Sequence, residues 1–232
     1  MTLTIFLAGA TGAIGIPLCR LLVAAGHRVH GTTRSHEKSA ALEALGVEPV
    51  LLDVYDADAL KAAVTAARPD VVIHQLTDLP AGMETDDMAA ALARNTRLRE
   101  IGTANLVAAA RAVGSRRLIA QSLAFVYAPG PQPHAEADPI DEEARGVLSL
   151  ESQVMAGPFD GVVLRYGRIW GPGTGFDAPN EACPVHVEAA AQAALLALDR
   201  GAGIYNIAEE TGEVATERAR TELGWSPDFR LP

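Results

Sequence analysis

Residues 4–15 read TIFLAGATGAIG and carry the most informative pattern in the chain. An apolar run leads into Gly9, Gly12 and Gly15, and apolar residues recur at helical spacing from Ile14 onward. This order is typical of a β-strand, a tight turn and a helix whose N-terminal amides face an anion. The stretch therefore predicts a loop that binds the pyrophosphate of a dinucleotide.

The rest of the chain alternates short apolar runs with alanine-rich amphipathic stretches, which indicates strand-helix-strand units. Strands are expected at 4–8, 28–33, 49–52, 71–74, 117–121, 162–165 and 204–207. Helices are expected at about 13–25, 38–45, 57–67, 87–113, 142–156 and 187–198, while 127–139 and 171–184 are expected to be loops. The pattern predicts an α/β fold with a Rossmann-type, doubly wound parallel sheet.

Charge and cysteine content limit the possible partners. The 232 residues carry a formal net charge of -10, whereas nucleic-acid binding needs a dense basic face, so no nucleic-acid partner is expected. Cys19 and Cys183 are far apart and lack metal-ligand spacing, which predicts no metal site and a reducing compartment. The N-terminus lacks a basic leader and no apolar run reaches membrane-spanning length. We expect a cytoplasmic protein without membrane association.

Cofactor preference depends on the end of the second predicted strand, where an acidic residue would accept hydrogen bonds from the adenosine ribose. This chain has Thr33 and Arg34 there, with Lys38 close behind. Hydroxyl and cationic groups suit a 2′-phosphate, so NADP is the predicted cofactor. NAD remains an alternative in which Arg34 only stacks on the adenine. Asp53, after the third strand, is expected either to bond the adenine amino group or to help cap the next helix.

Further motifs extend the glycine loop into a family resemblance. They are DVVIHQL at 70–76, GTANLVAAARAVGSRRLIAQSLAFVY at 102–127, VVLRYGRIWGPG at 162–173, VHVEAAAQAALLAL at 185–198, IYNIA at 204–208 and LGWSP at 223–227. In this order the motifs resemble the extended short-chain dehydrogenase/reductase superfamily, in particular its epimerase/dehydratase-like branch, over nearly the whole chain.

The resemblance implies positions for the cofactor. Gln75 to Thr77 would line its ribose and nicotinamide side, Ser122 would lie near the nicotinamide, and Tyr166 would lie beneath it or pack in the core. Together with the loop and strand ends, the predicted cofactor-binding residues are Gly9, Thr11, Gly12, Ala13, Ile14, Gly15, Thr33, Arg34, Asp53, Val54, Gln75, Leu76, Thr77, Ser122 and Tyr166.

The catalytic pair of the resembled family is missing. That pair is a tyrosine with a lysine four residues later, which lowers the phenol pKa. The only lysines are Lys38 and Lys61, and no tyrosine has a lysine four positions on. Leu123 stands where the family has its catalytic serine, with Ser122 one position early. Ser122 and Tyr127 are therefore the candidate catalytic residues, although an aromatic side chain at 127 could instead pack under the loop.

The substrate half is shorter than in the resembled family. Only residues 174–184 separate the GPG and HV segments, where the family has several tens of residues. This predicts a single NAD(P)-binding Rossmann domain over 1–232, with a shortened substrate cap at about 171–232. The substrate is expected to be a small molecule, whose identity the sequence does not specify.

Three functions fit these observations. The first is an NADP(H)-dependent oxidoreductase with an altered proton donor, because a complete cofactor site usually accompanies redox chemistry. The second is a non-catalytic NAD(P)-binding redox sensor, which the missing tyrosine-lysine pair favours. The third is a sugar epimerase or dehydratase, suggested by the resemblance. A homodimer is also expected, because the resembled family pairs its subunits through the helices that correspond to 87–113 and 142–156.

Overall fold

The computed structural model describes residues 1–179 and 182–231. Within these ranges the strands are β1 Thr4–Ala8, β2 Arg28–Thr33, β3 Glu48–Leu51, β4 Val71–His74, β5 Arg117–Leu123, β6 Asp160–Tyr166, β7 Arg168–Trp170, β8 Pro184–His186 and β9 Gly203–Ile207. The α-helices are α1 Gly15–Ala24, α2 His36–Ala44, α3 Ala57–Ala67, α4 Met88–Arg97, α5 Thr103–Val113, α6 Arg145–Met155 and α7 Val187–Leu196. Two π-helical segments, Leu98–Gly102 and Ala219–Leu223, and a short 3-10 turn complete the helical structure.

Seven strands form one parallel sheet in the order β3-β2-β1-β4-β5-β6-β9. This order confirms the predicted Rossmann-type fold. The chain winds outward in both directions from the centre, and the strand order reverses between β1 and β4. Ligands of such sheets bind at this reversal, beyond the carboxyl ends of the strands. The short strands β7 and β8 pair with each other outside the main sheet.

The two faces of the sheet bury separate apolar cores. Alternate side chains of β1 divide between them: Ile5 and Leu7 pack on one face, and Phe6 and Ala8 on the other. Helices α1, α2 and α7 cover the first face, and α3, α5 and α6 cover the second. A strand that is buried on both sides needs an unbroken apolar sequence, which explains why β1 and β4 were visible in the sequence.

Most predicted elements are confirmed, but three differ. The helix expected at 87–113 is interrupted by the π-helical segment Leu98–Gly102. The helix expected at 142–156 begins only at Arg145, because the Asp141 carboxylate accepts the Glu143 amide and holds the preceding residues in a turn. Strand β8 falls at the end of the segment expected to be a loop. None of the described helices is long and apolar enough to cross a membrane.

Candidate functional site

Two glycines shape the loop between β1 and α1. Gly9 has a φ of 92°, and a Cβ there would lie 2.7 Å from the carbonyl of Gln75. A Cβ on Gly15 would lie 2.1 Å from the carbonyl oxygen of Gly9. No side chain fits at either position, so α1 can pack against the loop at close range. The N-terminus of α1 is thereby placed at the edge of the sheet, where its dipole favours a diphosphate.

The end of β2 presents positive charge to the same region. Thr33, Arg34 and Lys38 line the cleft beside the glycine loop. The Arg34 side chain is 65% exposed, and its Nη2 lies 3.8 Å from Oδ1 of Asp78. Asp78 also pairs with Arg94, whose Nε lies 3.6 Å from Oδ2. A hydroxyl and two cations therefore stand where an NAD-selective site would have a carboxylate.

A buried histidine fixes the segment after β4. The amide of Leu76 donates to Nδ1 of His74 at 3.2 Å, so Nε2 carries the ring proton and donates to Thr103 Oγ1 at 3.1 Å. Burial, with a smaller effect from the charge of Arg99, lowers the pKa of His74 to about 3. The ring is therefore neutral near pH 7. Gln121 Nε2 donates to the carbonyl of Leu76 at 3.0 Å and holds the segment from the other side.

Gln75 and Tyr166 meet in the wall of the cleft. Gln75 Nε2 donates to the Tyr166 hydroxyl at 3.1 Å, while Gln75 Oε1 is buried and has no partner among the described residues. Burial raises the pKa of Tyr166, with the Gln75 hydrogen bond opposing, so the phenol stays protonated. Its proton has no acceptor within residues 1–179 and 182–231. A free acceptor and a free donor thus face the same ligand space.

These elements enclose a cleft of about 700 Å³, which lies within the usual range for small-molecule sites. It begins at the glycine loop, passes the ends of β2 and β4, and reaches side chains that follow β5 and β6. The predicted cofactor residues that line it are Gly9, Thr11, Gly12, Ala13, Ile14, Thr33, Arg34, Asp53, Val54, Gln75, Leu76, Thr77 and Tyr166. Gly15 lies beneath the loop instead, and Ser122 lies elsewhere.

Asp53 occupies the position expected from the sequence, at the end of the third strand. Its Oδ1 accepts the amide of Tyr55 at 3.0 Å, and so shapes the turn. The next helix is capped by Asp56, whose Oδ1 accepts the amide of Ala59 at 2.9 Å. Asp53 lines the cleft, and its other oxygen accepts no hydrogen bond from the residues that the structure describes.

Ser122 points away from the cleft. Successive side chains of a strand alternate between faces, and Gln121 and Leu123 are the β5 residues that line the cleft. The Ser122 hydroxyl is fully buried and donates to Glu151 Oε1 at 2.7 Å. The one-residue displacement noted in the sequence therefore turns the serine to the opposite face, and the structure does not bring it to the cleft.

Tyr127 also lies outside the cleft lining. Its hydroxyl donates to Asn206 Oδ1 at 2.6 Å and accepts from Arg165 Nη1 at 2.8 Å. Its ring stacks on His134 with centroids 4.8 Å apart. Arg165 in turn forms two hydrogen bonds with Glu151, at 2.9 and 2.7 Å. Both candidate catalytic residues belong to this buried polar network, which leaves their hydroxyls occupied.

Thr32 and Arg99 are among the cleft residues that the sequence did not single out. Thr32 accepts the Gly9 amide on Oγ1 at 3.1 Å and ties the glycine loop to β2. Arg99 is only 6% exposed and lines the cleft from the π-helical segment. The spacing of four residues places Arg99 on the same helix face as Asn95. Only the structure shows that this face is buried, so the sequence carried no signal for Arg99.

The fold, the glycine loop and the cleft together define a dinucleotide-binding protein with a Rossmann-type sheet. The chain belongs to the NAD(P)H-binding family, whose sequence model matches residues 9–169. Membership of this family and the seven-stranded parallel sheet confirm the NAD(P)-binding Rossmann fold that the motifs implied.

Curated relatives include reductases. The chain is 47% identical over 182 residues to a 3-diazoavenalumate denitrifying reductase from Streptomyces, an alignment that covers 74% of this chain and 58% of the relative. It is 32% identical over 181 residues to the 2-alkyl-3-oxoalkanoate reductase of Stenotrophomonas maltophilia, covering 73% and 52%. The chain thus spans just over half the length of these relatives.

Solved structures share the fold at lower identity. The UDP-glucose 4-epimerase of Thermotoga maritima, solved with UDP-glucose, superposes with a TM-score of 0.81 at 17% identity, over 97% of this chain and 94% of that one. A Bordetella bronchiseptica enzyme in complex with NAD and UDP gives a TM-score of 0.80 at 17% identity, over 100% and 91%. At this level of identity the similarity concerns the fold alone.

Proposed function

We propose that the protein is an NADPH-dependent reductase of a small molecule. The observation that carries the proposal is the continuous cleft, which starts at the glycine loop and extends past Tyr166 to Leu123 and Phe125. Such a cleft leaves room for a substrate beside the nicotinamide end of a dinucleotide. Two relatives named as reductases support the same reaction class.

The preference for NADPH rests on Thr33, Arg34 and Lys38. A charge-assisted hydrogen bond contributes about 1.5 to 3 kcal/mol, but Arg34 is largely exposed, and solvent screening lowers its contribution to about 1 to 2 kcal/mol. This corresponds to an affinity difference of about five- to thirty-fold between NADPH and NADH. The Arg34 guanidinium would exchange its long contact with Asp78 for a phosphate.

When bound, the reduced nicotinamide supplies a hydride to an electrophilic atom of the substrate. We assign Tyr166 the role of donating its free hydrogen bond to the substrate atom on which negative charge develops. Gln75 holds the phenol oxygen from behind, and the raised pKa keeps the proton in place. A donor of this kind stabilises the transition state, typically by a factor of about 10² to 10³ in rate.

Calorimetric titration of NADPH and NADH into the wild type and Arg34→Ala tests the cofactor assignment. We expect Arg34→Ala to weaken NADPH about five- to thirty-fold and to leave NADH within about two-fold. Arg94→Ala is the matched control, because it removes the other partner of Asp78 without lining the cleft. If both variants lost the same NADPH affinity, Arg34 would act through its contact with Asp78 and not by binding a phosphate.

Turnover is tested by following NADPH oxidation with a panel of ketones, aldehydes and imines. Tyr166→Phe should lower kcat about 100-fold while leaving NADPH affinity nearly unchanged. Ser122→Ala and Tyr127→Phe in the same assay test the sequence prediction, and a loss equal to that of Tyr166→Phe would return the catalytic role to them. Tight NADPH binding with no turnover of any substrate would instead favour a non-catalytic redox sensor. The absence of the tyrosine-lysine pair from the sequence is consistent with that function.

A further inference from the structure

Arg99 differs from the other buried arginines of this protein. Its guanidinium makes no hydrogen bond to any residue that the structure describes, and its Nε, like that of Arg117, is buried without an acceptor. By contrast, Nη1 of the buried Arg117 donates to three carbonyl oxygens, and Arg165 holds Glu151 in two hydrogen bonds. A buried cation without hydrogen-bond partners is costly, so its retention calls for a ligand.

The neighbouring charges do not satisfy Arg99. Glu151 acts on it electrostatically, but that carboxylate is already occupied by Arg165 and Ser122. Burial lowers the pKa of Arg99 to about 10, with Glu151 opposing, so the guanidinium remains charged at neutral pH. Asp78, a carboxylate that lines the cleft, is paired with Arg34 and Arg94. This part of the cleft is therefore left with an uncompensated positive charge.

The surroundings of Arg99 indicate the kind of ligand. The side chains of Leu98, Leu123 and Phe125 line the same cleft and make it apolar, and the unpartnered Gln75 Oε1 adds an acceptor. A guanidinium is a planar fork of donors that matches a carboxylate in two parallel hydrogen bonds. Arg168 also lines this cleft, where its guanidinium lies over the Phe125 ring at 4.2 Å from the centroid. A guanidinium such as that of Arg99 among apolar side chains suits a carboxylate on an apolar body.

We propose that Arg99 binds the carboxylate of the substrate. The protein then acts on carboxylic acids in which the rest of the molecule is apolar and of small or medium size. The proposal rests on the reductase function proposed above, because it places the acid in the substrate part of the cofactor cleft. Arg99 then fixes the orientation of the acid, and Tyr166 meets the group that is reduced.

Binding of simple acids tests the proposal without turnover. Benzoate and hexanoate are titrated into the NADPH-saturated protein, with benzamide and hexanamide as uncharged counterparts. We expect at least one acid to bind at least tenfold more tightly than its amide. Failure of both acids to outbind their amides, or tighter binding of inorganic phosphate, would overturn the proposal. Because the wild type alone gives this result, it does not depend on how any variant folds.

Variants then test whether the acid binds at Arg99. Arg99→Gln should weaken the better acid at least tenfold and leave NADPH affinity within about twofold, whereas Arg111→Gln, a matched loss of charge on the exposed face of α5, should change neither. Loss of NADPH affinity with acid binding intact would mean that Arg99 holds the cofactor and would refute the proposal. NADPH titration also distinguishes a wrong carboxylate site from a wrong reductase assignment. If the reductase assignment were wrong, NADPH would not bind, or would bind without being oxidised.

Discussion

Acidification should destabilise the protein through His74, whose ring supports the cofactor segment. The Leu76 amide donates to Nδ1, so a proton added there would face another N–H at 3.2 Å. Burial, followed by the charge of Arg99, lowers the pKa of His74 from its ordinary value of 6.5 to about 3. Since the unfolded chain takes up this proton first, the stability contributed by neutral His74 is complete above pH 6.5 and is lost as the pH falls towards 3.

The size of this effect on the unfolding free energy follows from the two pKa values of His74. Each pH unit below the unfolded pKa costs about 1.4 kcal/mol, so one buried neutral histidine accounts for about 2 kcal/mol between roughly pH 7.5 and 5. Other groups titrate in the same interval. The measured quantity is therefore the difference in unfolding free energy between the wild type and His74→Asn, whose amide oxygen can accept the Leu76 amide and never takes up a proton.

Urea unfolding at several pH values gives this difference directly. We expect the advantage of the wild type over His74→Asn to shrink by about 2 kcal/mol across the interval. His36→Asn, at the exposed first residue of α2, is the control that replaces a histidine outside the buried segment. A His74→Asn difference that does not vary with pH would refute the argument.

Three further predictions concern the loop, the thiols and the assembly. Gly15→Ala should abolish cofactor binding in calorimetry, because its Cβ would meet the Gly9 carbonyl oxygen at 2.1 Å, and retained affinity would show that the loop can yield. Burial raises the pKa of both Cys19 and Cys183 to about 12, so neither should react with iodoacetamide at pH 8 until the protein is unfolded; rapid native labelling would contradict this. We propose a homodimer, and light scattering at micromolar concentration should give twice the chain mass. Apolar side chains that are more than a third exposed on neighbouring helical segments support it, namely Ile101, Leu148 and Met155.

The glycine loop and the main strands could be predicted because their causes are local. Gly15 is required by its contact with the Gly9 carbonyl oxygen, and Gly9 by its positive φ in the turn, both inside twelve residues of sequence, although the Cβ contact at Gly9 is with Gln75. The central strands β1 and β4 are buried on both faces and therefore show as apolar runs. The cationic end of β2 was equally visible, since strand ends at the reversal of a parallel sheet line the ligand site wherever the rest of the chain goes.

The catalytic candidates depended on contacts that no local pattern records. Ser122 and Leu123 are adjacent in sequence, and only the register of β5 decides which one faces the cleft. Tyr127 follows the expected strand, but its hydroxyl is occupied by Asn206, a residue far along the chain. Arg99 reads as one more arginine on a polar helix until the packing of the helix buries it without a partner. The loop that holds the cofactor could be recognised from the chain alone. The side chains that meet the substrate could be identified only in the folded protein, because their burial and hydrogen-bond partners are set by residues distant in sequence.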